Sequence, residues 1–491
     1  MGIFAQDDYQ VSKRLTLNYG LRWDYYGTPY SPDHLMYNFD PATGDVIVDP
    51  AAVSKVSPLY PSNITVVAGA VQAISDKTNF APRIGAAYRL SENSVIRGGY
   101  GIYTARLDGD IGPNGQGSYN PFELINPQLG STGPFSISQN YLNVVNTGQA
   151  PLFQFPDPYP ASTSFASVPS QTVYGYPRQS SLGRIQQFSA SYERQISNIG
   201  LRASYVGSRS SGLNYLVNID LPHPSTTPFT SSELPYPQFF QAYQTYYNGG
   251  AQFDSLQFEA MRRAGNLTFD ANYSFQRSVE NYLDTENPYN VLGHGWENDG
   301  PTMRHYASIT ASWTLPFGTG QRYLSTPSPL VEKVAGGWVL TSLTYLGSGI
   351  WYSPLYSGSD PSNTGTFGGL PDLVGNPYSF PNGKGTLDAF NDAAFAVPQN
   401  GTFGNAKPNS LESQHLYVTH LGILKVIPIT HRVNFHFTTQ ISNLLNHPEF
   451  LPPSGNISVP GGNQYTSQLG VFSSLERATP RQITFQGAFT F

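Results

Sequence analysis

Residues 14–26, RLTLNYGLRWDYY, carry the clearest structural signal in the chain. Apolar side chains occupy every second position, with polar or small residues between them. The apolar positions are Leu15, Leu17, Tyr19, Leu21 and Trp23. Because successive side chains of a β-strand point to opposite faces, this period of two predicts a strand with one apolar and one polar face.

The same alternation recurs along the whole sequence. We expect about thirteen strands, at 2–10, 14–26, 80–90, 94–105, 184–197, 199–209, 252–264, 265–276, 303–315, 338–349, 414–425, 433–441 and 481–491. Ten residues at about 3.3 Å each, tilted near 45°, cover roughly 25 Å, the height of the apolar band of an outer-membrane barrel. Strands of soluble proteins average about half this length.

The connections between these segments alternate between short and long. The short ones are 11–13, 91–93, 198, 265, 316–337 and 426–432. The long ones are 27–79, 106–183, 210–251, 278–302, 350–413 and 444–480. Loops this long are uncommon in compact soluble domains, whereas transmembrane barrels have short periplasmic turns and long extracellular loops. The predicted fold is therefore all-β: a transmembrane antiparallel β-barrel with long extracellular loops.

The composition agrees with a membrane location. Only 12% of the 491 residues are charged, about half the share usual in soluble domains, and the net charge is −6. No apolar run of about 18 residues occurs, and the mean hydropathy is −0.30, which excludes a membrane-spanning helix. The absence of Cys excludes disulfide scaffolds, thiol nucleophiles and cysteine-based zinc sites. The mild acidity argues against a nucleic-acid partner.

The number and direction of the strands predict an incomplete barrel. If the last strand runs toward the periplasm and ends at Phe491, counting back through thirteen strands makes segment 2–10 run the same way. Bacterial barrels have an even number of strands and are entered from the periplasmic side. We therefore expect at least one further strand before residue 2.

Ten blocks of sequence, spread from residue 2 to residue 491, resemble the Oar-like branch of TonB-dependent outer-membrane receptors in the family's order. They are GIFAQDDYQVSKRLTLNYGLRWDYY (2–26), NFAPRIGAAYRL (79–90), VIRGGYGIY (95–103), LRASYVGSRSSGL (201–213), MRHYASITASWTLPFGTGQRYL (303–324), GGWVLTSLTYLGSG (336–349), PDLVGNP (371–377), GTFGNAKPNSL (401–411), ISNLLNHPEF (441–450) and RQITFQGAFTF (481–491). The resemblance implies a barrel of about 22 strands filled by an N-terminal plug. We expect residues 1–491 to be the C-terminal part of this barrel, with the plug, an N-terminal β-sandwich and the signal peptide absent.

The resemblance also implies a function and partners. It predicts a receptor or transporter in the bacterial outer membrane that takes up a bulky solute, of the siderophore, glycan or peptide class. The expected partners are outer-membrane lipid, an extracellular solute and the TonB energy-coupling complex, reached through the absent N-terminal region. No cofactor, enzyme activity or nucleic-acid partner is expected. The alternative is a surface-exposed binding or adhesion protein on a barrel anchor. A soluble all-β hydrolase would instead show per-blade repeats and paired catalytic carboxylates, which are not evident.

The last block resembles the family's final strand. Ile483 shares one face with three phenylalanines, and a terminal Phe resembles the signal read by the barrel-assembly machinery. The resemblance therefore predicts Phe485, Phe489 and Phe491 as a C-terminal assembly signal. An ordinary strand that happens to end at Phe is the alternative.

Polar-face side chains are the candidate functional residues. Arg22, Arg83 and Arg97 fall on the polar faces of neighbouring strands, where guanidinium groups could attract an anionic solute or pair with the plug. His436 lies on the polar face of its own strand. Pairing with carboxylates of the plug or wall is favoured for the arginines, and hydrogen bonding inside the lumen is favoured for His436.

The spacing of His and carboxylate residues predicts no metal site. His415 and His420 are five residues apart on one predicted strand and therefore point to opposite faces. The acidic residues of loop 278–302 could bind Ca²⁺, but they lack the twelve-residue spacing of a calcium loop. They are Glu280, Asp284, Glu286, Glu297 and Asp299. A solvated acidic loop is favoured.

Overall fold

One antiparallel sheet dominates the computed structural model. Thirteen strands form its path, each paired with the next, and two short strands join it at the side. The structure describes residues 1–28, 30–56, 60–104, 121–122, 171–179, 183–381, 383, 389–430, 432–447, 457 and 480–491. The strands of the path are β1 Gly2–Gln10, β2 Leu15–Asp24, β3 Phe80–Ser91, β4 Ser94–Thr104, β5 Arg184–Ile196, β6 Ile199–Asn218, β7 Phe239–Arg262, β8 Leu267–Glu280, β9 His305–Thr314, β10 Trp338–Gly347, β11 Leu416–Pro428, β12 Asn434–Ser442 and β13 Gln482–Thr490.

All thirteen predicted strands are confirmed in type and order, and so is the all-β, antiparallel fold class. Most strand ends agree with the sequence prediction to within a few residues. The sheet is open, because β1 and β13 are its two ends and are not paired with each other in the described part of the chain. Among the described residues, no helix has the length and hydropathy needed to cross a bilayer.

The register gives the sheet two different faces. Tyr19 pairs with Ile84, Ile84 with Tyr100, and Tyr100 with Phe188, so apolar side chains line up across four strands. Three of these four side chains are exposed, with Ile84 at 59%. We call this side the apolar face. The side chains between them form the polar face, which includes Arg83.

The connections alternate as predicted between the two ends of the sheet. Short turns at one end are 11–14, 92–93, 197–198, 263–266 and 429–433. At the same end, 315–337 is longer and contains the one α-helix among the described elements, α1 Pro329–Ala335, which Ser328 caps. The long connections at the other end are 25–79, 105–183, 219–238, 281–304, 348–415 and 443–481. Most of 105–183 and 443–481 lies outside the described residues.

The prediction of a loop over residues 210–251 is wrong for about half of that segment, at its two ends. β6 is 20 residues long and β7 is 24, and their pairing continues as far as Asn218 and Tyr243. The register shifts on either side of Leu213, beside Gly212 with φ +71°. The two strands project beyond the apolar band, where no lipid requires an apolar face. The hydrophobic alternation that predicts strands is therefore missing there.

The described parts of the first five long connections fold into a cap with strands of its own. A three-stranded sheet joins Tyr37–Asp40, Asp45–Val48 and Val66–Ala68, with the 3-10 helix Pro50–Lys55 between its second and third strands. Two further 3-10 helices of the cap are Ser231–Glu233 and Asp392–Ala394. Gln171–Gly175 pairs parallel with β7, and Glu297–Asn298 pairs with the end of β8. The two-stranded pairs are Trp351–Tyr352 with Leu411–Glu412, Tyr356–Ser357 with Gly368–Gly369, and Asp372–Leu373 with Phe395–Ala396.

The main hydrophobic clusters of the described chain lie at the cap end. The first comprises Tyr37, Phe39, Val46, Val48, Ile64, Val173, Phe239 and Ala242. In it the ring of Phe39 contacts Tyr236 and Phe239 edge-on, with centroid distances of 5.0 and 5.6 Å. The second comprises Ala389, Phe390, Ala394, Phe395, Ala406 and Leu411. Burial of apolar side chains therefore stabilises the cap, whereas the strands below expose theirs.

Candidate functional site

The three candidate arginines lie on the polar face, each with a partner from the wall. Arg22 Nε contacts both carboxylate oxygens of Asp24, at 2.8 and 2.7 Å. The Arg83 guanidinium lies 4.6 Å from the ring centroid of Tyr103. Arg97 Nε lies 3.4 Å from Glu193 Oε1, with both side chains partly exposed.

These arginines do not form one site. Arg22 lies at the long-loop end of β2, whereas Arg97 lies near the short turn between β3 and β4. His436 is farther along the sheet, on the polar face of β12, where its Nε2 is 3.1 Å from Thr490 Oγ1 on β13. The four residues are therefore separate groups on a long polar wall, and a role in solute recognition stays a prediction.

A row of opposite charges crosses four strands of the same face. Glu193 is directly opposite Arg202, and Arg202 is directly opposite Glu259. Arg202 Nη1 lies 3.6 Å from Glu259 Oε2, and the Arg97–Glu193 pair extends the row to β4. We call Arg97, Glu193, Arg202 and Glu259 the charge ladder. Because the side chains are partly exposed, each ion pair contributes at most about 1 kcal/mol.

Sequence reasoning missed three members of the charge ladder. It selected Arg97 but not Glu193, Arg202 or Glu259. Each of these three falls on the polar face of a predicted strand, and a register between neighbouring strands would have aligned them. The signal was therefore in the sequence, but it required strand pairing to be known.

The predicted C-terminal signal lies on the apolar face. Phe485 stacks on Phe437 with a centroid distance of 6.1 Å, and Phe489 packs against Phe435 at 4.9 Å. Phe491 follows the end of β13 and is 95% exposed. The two inner phenylalanines thus help to join β12 to β13, and recognition by assembly machinery stays a prediction.

The acidic loop 278–302 is not solvated, contrary to the sequence prediction. Asp284 Oδ2 lies 2.9 Å from His294 Nε2, and the Asp284 side chain is 5% exposed. Glu297 is 3% exposed, and neither carboxylate oxygen has a hydrogen-bond partner among the described residues. Glu286 Oε2 accepts a 2.9 Å hydrogen bond from the Leu370 amide. The loop is buried because the 348–415 connection packs over it, which spacing within the loop does not reveal.

Polar contacts join these two connections at what we call the loop junction. Lys407 Nζ donates to the His294 carbonyl at 2.8 Å. Asn298 Nδ2 donates to the Asn409 carbonyl at 3.1 Å, and Asn409 Nδ2 donates back to the Asn298 carbonyl at 2.8 Å. Together with the contact of Glu286, these bonds tie residues 281–304 to residues 348–415.

Burial determines the electrostatics of the loop junction. It raises the pKa of Glu297 to about 7; the charge of Asp284 adds to this shift, and the Lys407 ammonium opposes it. Burial also raises the pKa of Glu286 to about 7. Carboxyl groups in such surroundings favour the neutral, protonated form.

No metal centre is found at these positions. Within the described ranges, His, Cys, Asp and Glu side chains form no group of three that could hold a metal ion. His415 precedes β11 and His420 lies within it. That these histidines bind no metal stays a prediction.

One known protein family matches nearly the whole chain. A family model described as an outer membrane beta barrel domain matches residues 1–484. No curated protein matches the sequence.

Solved structures of outer-membrane proteins are similar over the whole chain. The copper transporter OprC has 11% identity and a TM-score of 0.39, the FrpB iron transporter from Neisseria meningitidis has 10% and 0.42, and the ferric-catecholate import receptor Fiu from E. coli K12 has 11% and 0.40. The chain covers 47%, 45% and 44% of these proteins, respectively. It therefore spans less than half of their length.

Proposed function

Because the chain belongs to the outer membrane beta barrel domain family and lies in the bacterial outer membrane, we propose that it forms part of the wall of a TonB-dependent receptor. This receptor imports a bulky solute through the barrel. The observation that carries the proposal is the open sheet of thirteen path strands, whose polar face has the charge ladder. Both edges need further strands, because unpaired backbone groups are costly in a lipid environment.

A barrel larger than thirteen strands is too wide for side chains alone to fill. A plug that rearranges when energy is supplied is therefore required to prevent leakage. In this proposal residues 1–491 supply the C-terminal part of the barrel, and the polar face contacts the plug and the passing solute. The cap covers the extracellular end, where loops held on a rigid scaffold commonly bind ligands.

Conductance of the complete protein tests this proposal. The protein is purified from outer membranes and inserted into planar bilayers bathed in KCl. We expect little conductance in the intact protein and a stable, wide pore after the plug has been excised. A wide pore in the intact protein contradicts gated import.

The second candidate is a surface binding or adhesion protein anchored by the barrel. The observation that favours it is the pair of hydrophobic clusters at the cap end, which give the exposed end a rigid structure. Replacing connection 348–415 by a short turn separates the two functions. Loss of adhesion with solute uptake unchanged favours the second candidate, and loss of uptake favours the first.

A further inference from the structure

The apolar face changes abruptly to charged side chains near the cap end of three neighbouring strands. On β8 the apolar positions end at Phe275 and the next side chain on that face is Arg277. On β7 they end at Leu256 and the next is Asp254. On β6 Tyr205 lies on this face, and Arg209 lies two positions further along it. The change occurs at one level across the sheet, because Arg277 pairs with Asp254.

The charged groups at this level form a compact cluster. Arg209 Nη2 contacts both carboxylate oxygens of Asp254, at 2.9 and 3.0 Å. Tyr205 Oη donates to Asp254 Oδ1 at 2.5 Å. The Arg209 guanidinium also lies 5.5 Å from the ring centroid of Phe188. These contacts hold Arg209 and Asp254 in fixed positions on the outside of the wall.

Arg277 gives this cluster an excess of positive charge. It is exposed, directly opposite Asp254, and makes no hydrogen bond or ion pair among the described residues. On β9, His305 lies directly opposite Phe275, and its Nδ1 is 2.9 Å from Tyr273 Oη. Two arginines therefore share one carboxylate, and one guanidinium keeps its donors free.

The height of the cluster matches a headgroup rather than hydrocarbon. On β8 the apolar face runs from Leu267 to Phe275, and Arg277 is ten residues from Leu267. Ten residues of tilted strand cover roughly 25 Å, the full height of the apolar band. A charge at the middle of the bilayer would cost about 2–4 kcal/mol, but this cost falls to about 0–1 kcal/mol at the interface.

A groove on the apolar face lies below the cluster, toward the short-turn end. Small side chains form its floor, namely Ala203, Ala260, Ala271 and Ala307, and it has a volume of about 580 Å³. Tyr192, Phe258 and Ile309 are among the larger residues along it. Ala271 is six residues from Arg277 on the same strand, about 20 Å along it, which is close to the length of an extended acyl chain.

We propose that Arg209 and Arg277 form a binding site for the phosphate groups of a phosphorylated glycolipid of the outer leaflet, with its acyl chains lying in the groove below. Guanidinium groups bind phosphate through paired, charge-assisted hydrogen bonds. A phosphorylated glycolipid combines the anionic head and the acyl chains that the cluster and the groove each require. This site faces the lipid and is independent of solute import through the lumen.

Glycolipid retention by the protein purified from outer membranes tests the site. The variants are R277Q and the double variant R209Q/R277Q. The matched control is R263Q, because Arg263 is exposed in the short turn after β7 and does not line the groove. Bisphosphorylated lipid A is added to delipidated protein, and bound lipid is counted by mass spectrometry. We expect affinity about tenfold weaker in R277Q, weaker still in the double variant, and unchanged in R263Q.

Two further measurements keep the test decisive. Heat-modifiable gel mobility establishes that each variant is folded, and R209K/R277K, which keeps both charges, should restore most of the affinity lost in the double glutamine variant. Dephosphorylated lipid A should bind the wild-type protein about as weakly as bisphosphorylated lipid A binds the double variant. Equal retention by wild type and double variant overturns the proposal. Equal binding of phosphorylated and dephosphorylated lipid, or equal competition by inorganic phosphate and lipid A, also overturns it.

Discussion

The wall and the cap are held together by different forces. In the wall, strands pair through backbone hydrogen bonds and large side chains such as Ile84 and Phe258 lie exposed, 59% and 46%, on the apolar face. In the cap, Phe39 and Phe390 are almost completely buried. The wall thus relies on lipid to cover its apolar side chains, whereas the cap has hydrophobic cores of the kind found in soluble domains. Substitutions, pH and lipid should therefore affect the two regions separately.

The largest effect is expected from truncating a core residue of the cap. Phe39→Ala removes a ring that packs edge-on against Tyr236 and Phe239, and it should lower the free energy of cap unfolding by about 3–5 kcal/mol. Limited proteolysis in detergent measures cap opening, and heat-modifiable mobility reports on the wall.

The matched control is Phe258→Ala, on the apolar face. We expect it to change cap opening by less than about 0.5 kcal/mol, because it shares no partner with the cap core. If Phe39→Ala also abolishes heat-modifiable mobility, the two regions are not separately stable and the comparison fails.

The second effect concerns pH and the loop junction. The pKa of Glu297 is raised from 4.5 to about 7 by burial, so the closed junction binds more protons than the opened one between these values. Closure is therefore most stable below about pH 4.5, weakens as the pH rises through this window and levels off above about 7. The full change is about 3 kcal/mol for this carboxyl group.

Cleavage of the cap by protease between pH 5 and pH 8 measures this dependence. We expect faster cleavage at pH 8 in the wild type and a flatter profile in Glu297→Gln, because the amide has the shape of the protonated acid but does not titrate in this range. Glu92→Gln, at an exposed turn of the wall, is the control and should keep the wild-type profile. An unchanged slope in Glu297→Gln would falsify the assignment to this group.

The same contrast explains what sequence reasoning could predict. The sequence predicts β2 because a lipid-facing strand has an apolar side chain at every second position, and this alternation is present within Leu15–Asp24 itself. Beyond the apolar band no lipid covers the strands, so the continuation of β6 to Asn218 shows no alternation of apolar residues. Glu297 is buried in the loop junction, which includes Lys407, more than a hundred residues later, and no local pattern encodes that junction. The charge ladder is intermediate, because its residues lie in predicted strands but meet only through register.

A third, smaller effect is expected in the charge ladder. Arg202→Glu places a third carboxylate between Glu193 and Glu259 and should destabilise the wall by about 1–2 kcal/mol at low salt. The double variant Arg202→Glu with Glu259→Arg exchanges one pair and should recover part of the loss. Thermal unfolding of the wall, monitored by heat-modifiable mobility, measures the loss of stability in the single variant and its recovery in the double variant.

Salt provides the control for this effect. At about 1 M NaCl the difference between Arg202→Glu and wild type should shrink, because exposed charges are screened at that ionic strength. Cap proteolysis should not change in either variant. A loss that persists in high salt indicates a packing defect rather than charge repulsion.

The smallest effect is expected from His436 in the wall, and it contrasts with His294 in the cap. The His436 side chain has one hydrogen bond among the described residues, to Thr490, and it lies on the polar face of the wall, so His436→Gln should change wall stability by less than about 0.5 kcal/mol. His294 is the partner of buried Asp284, and His294→Gln should open the loop junction by about 1–3 kcal/mol, because it removes the side chain that Asp284 contacts at 2.9 Å. Wall melting and cap proteolysis measure the two changes. If both substitutions change stability by equally small amounts, burial in the cap does not increase the stabilisation that a histidine contributes. The wall and the cap would then differ in backbone structure but not in the energetics of these side chains.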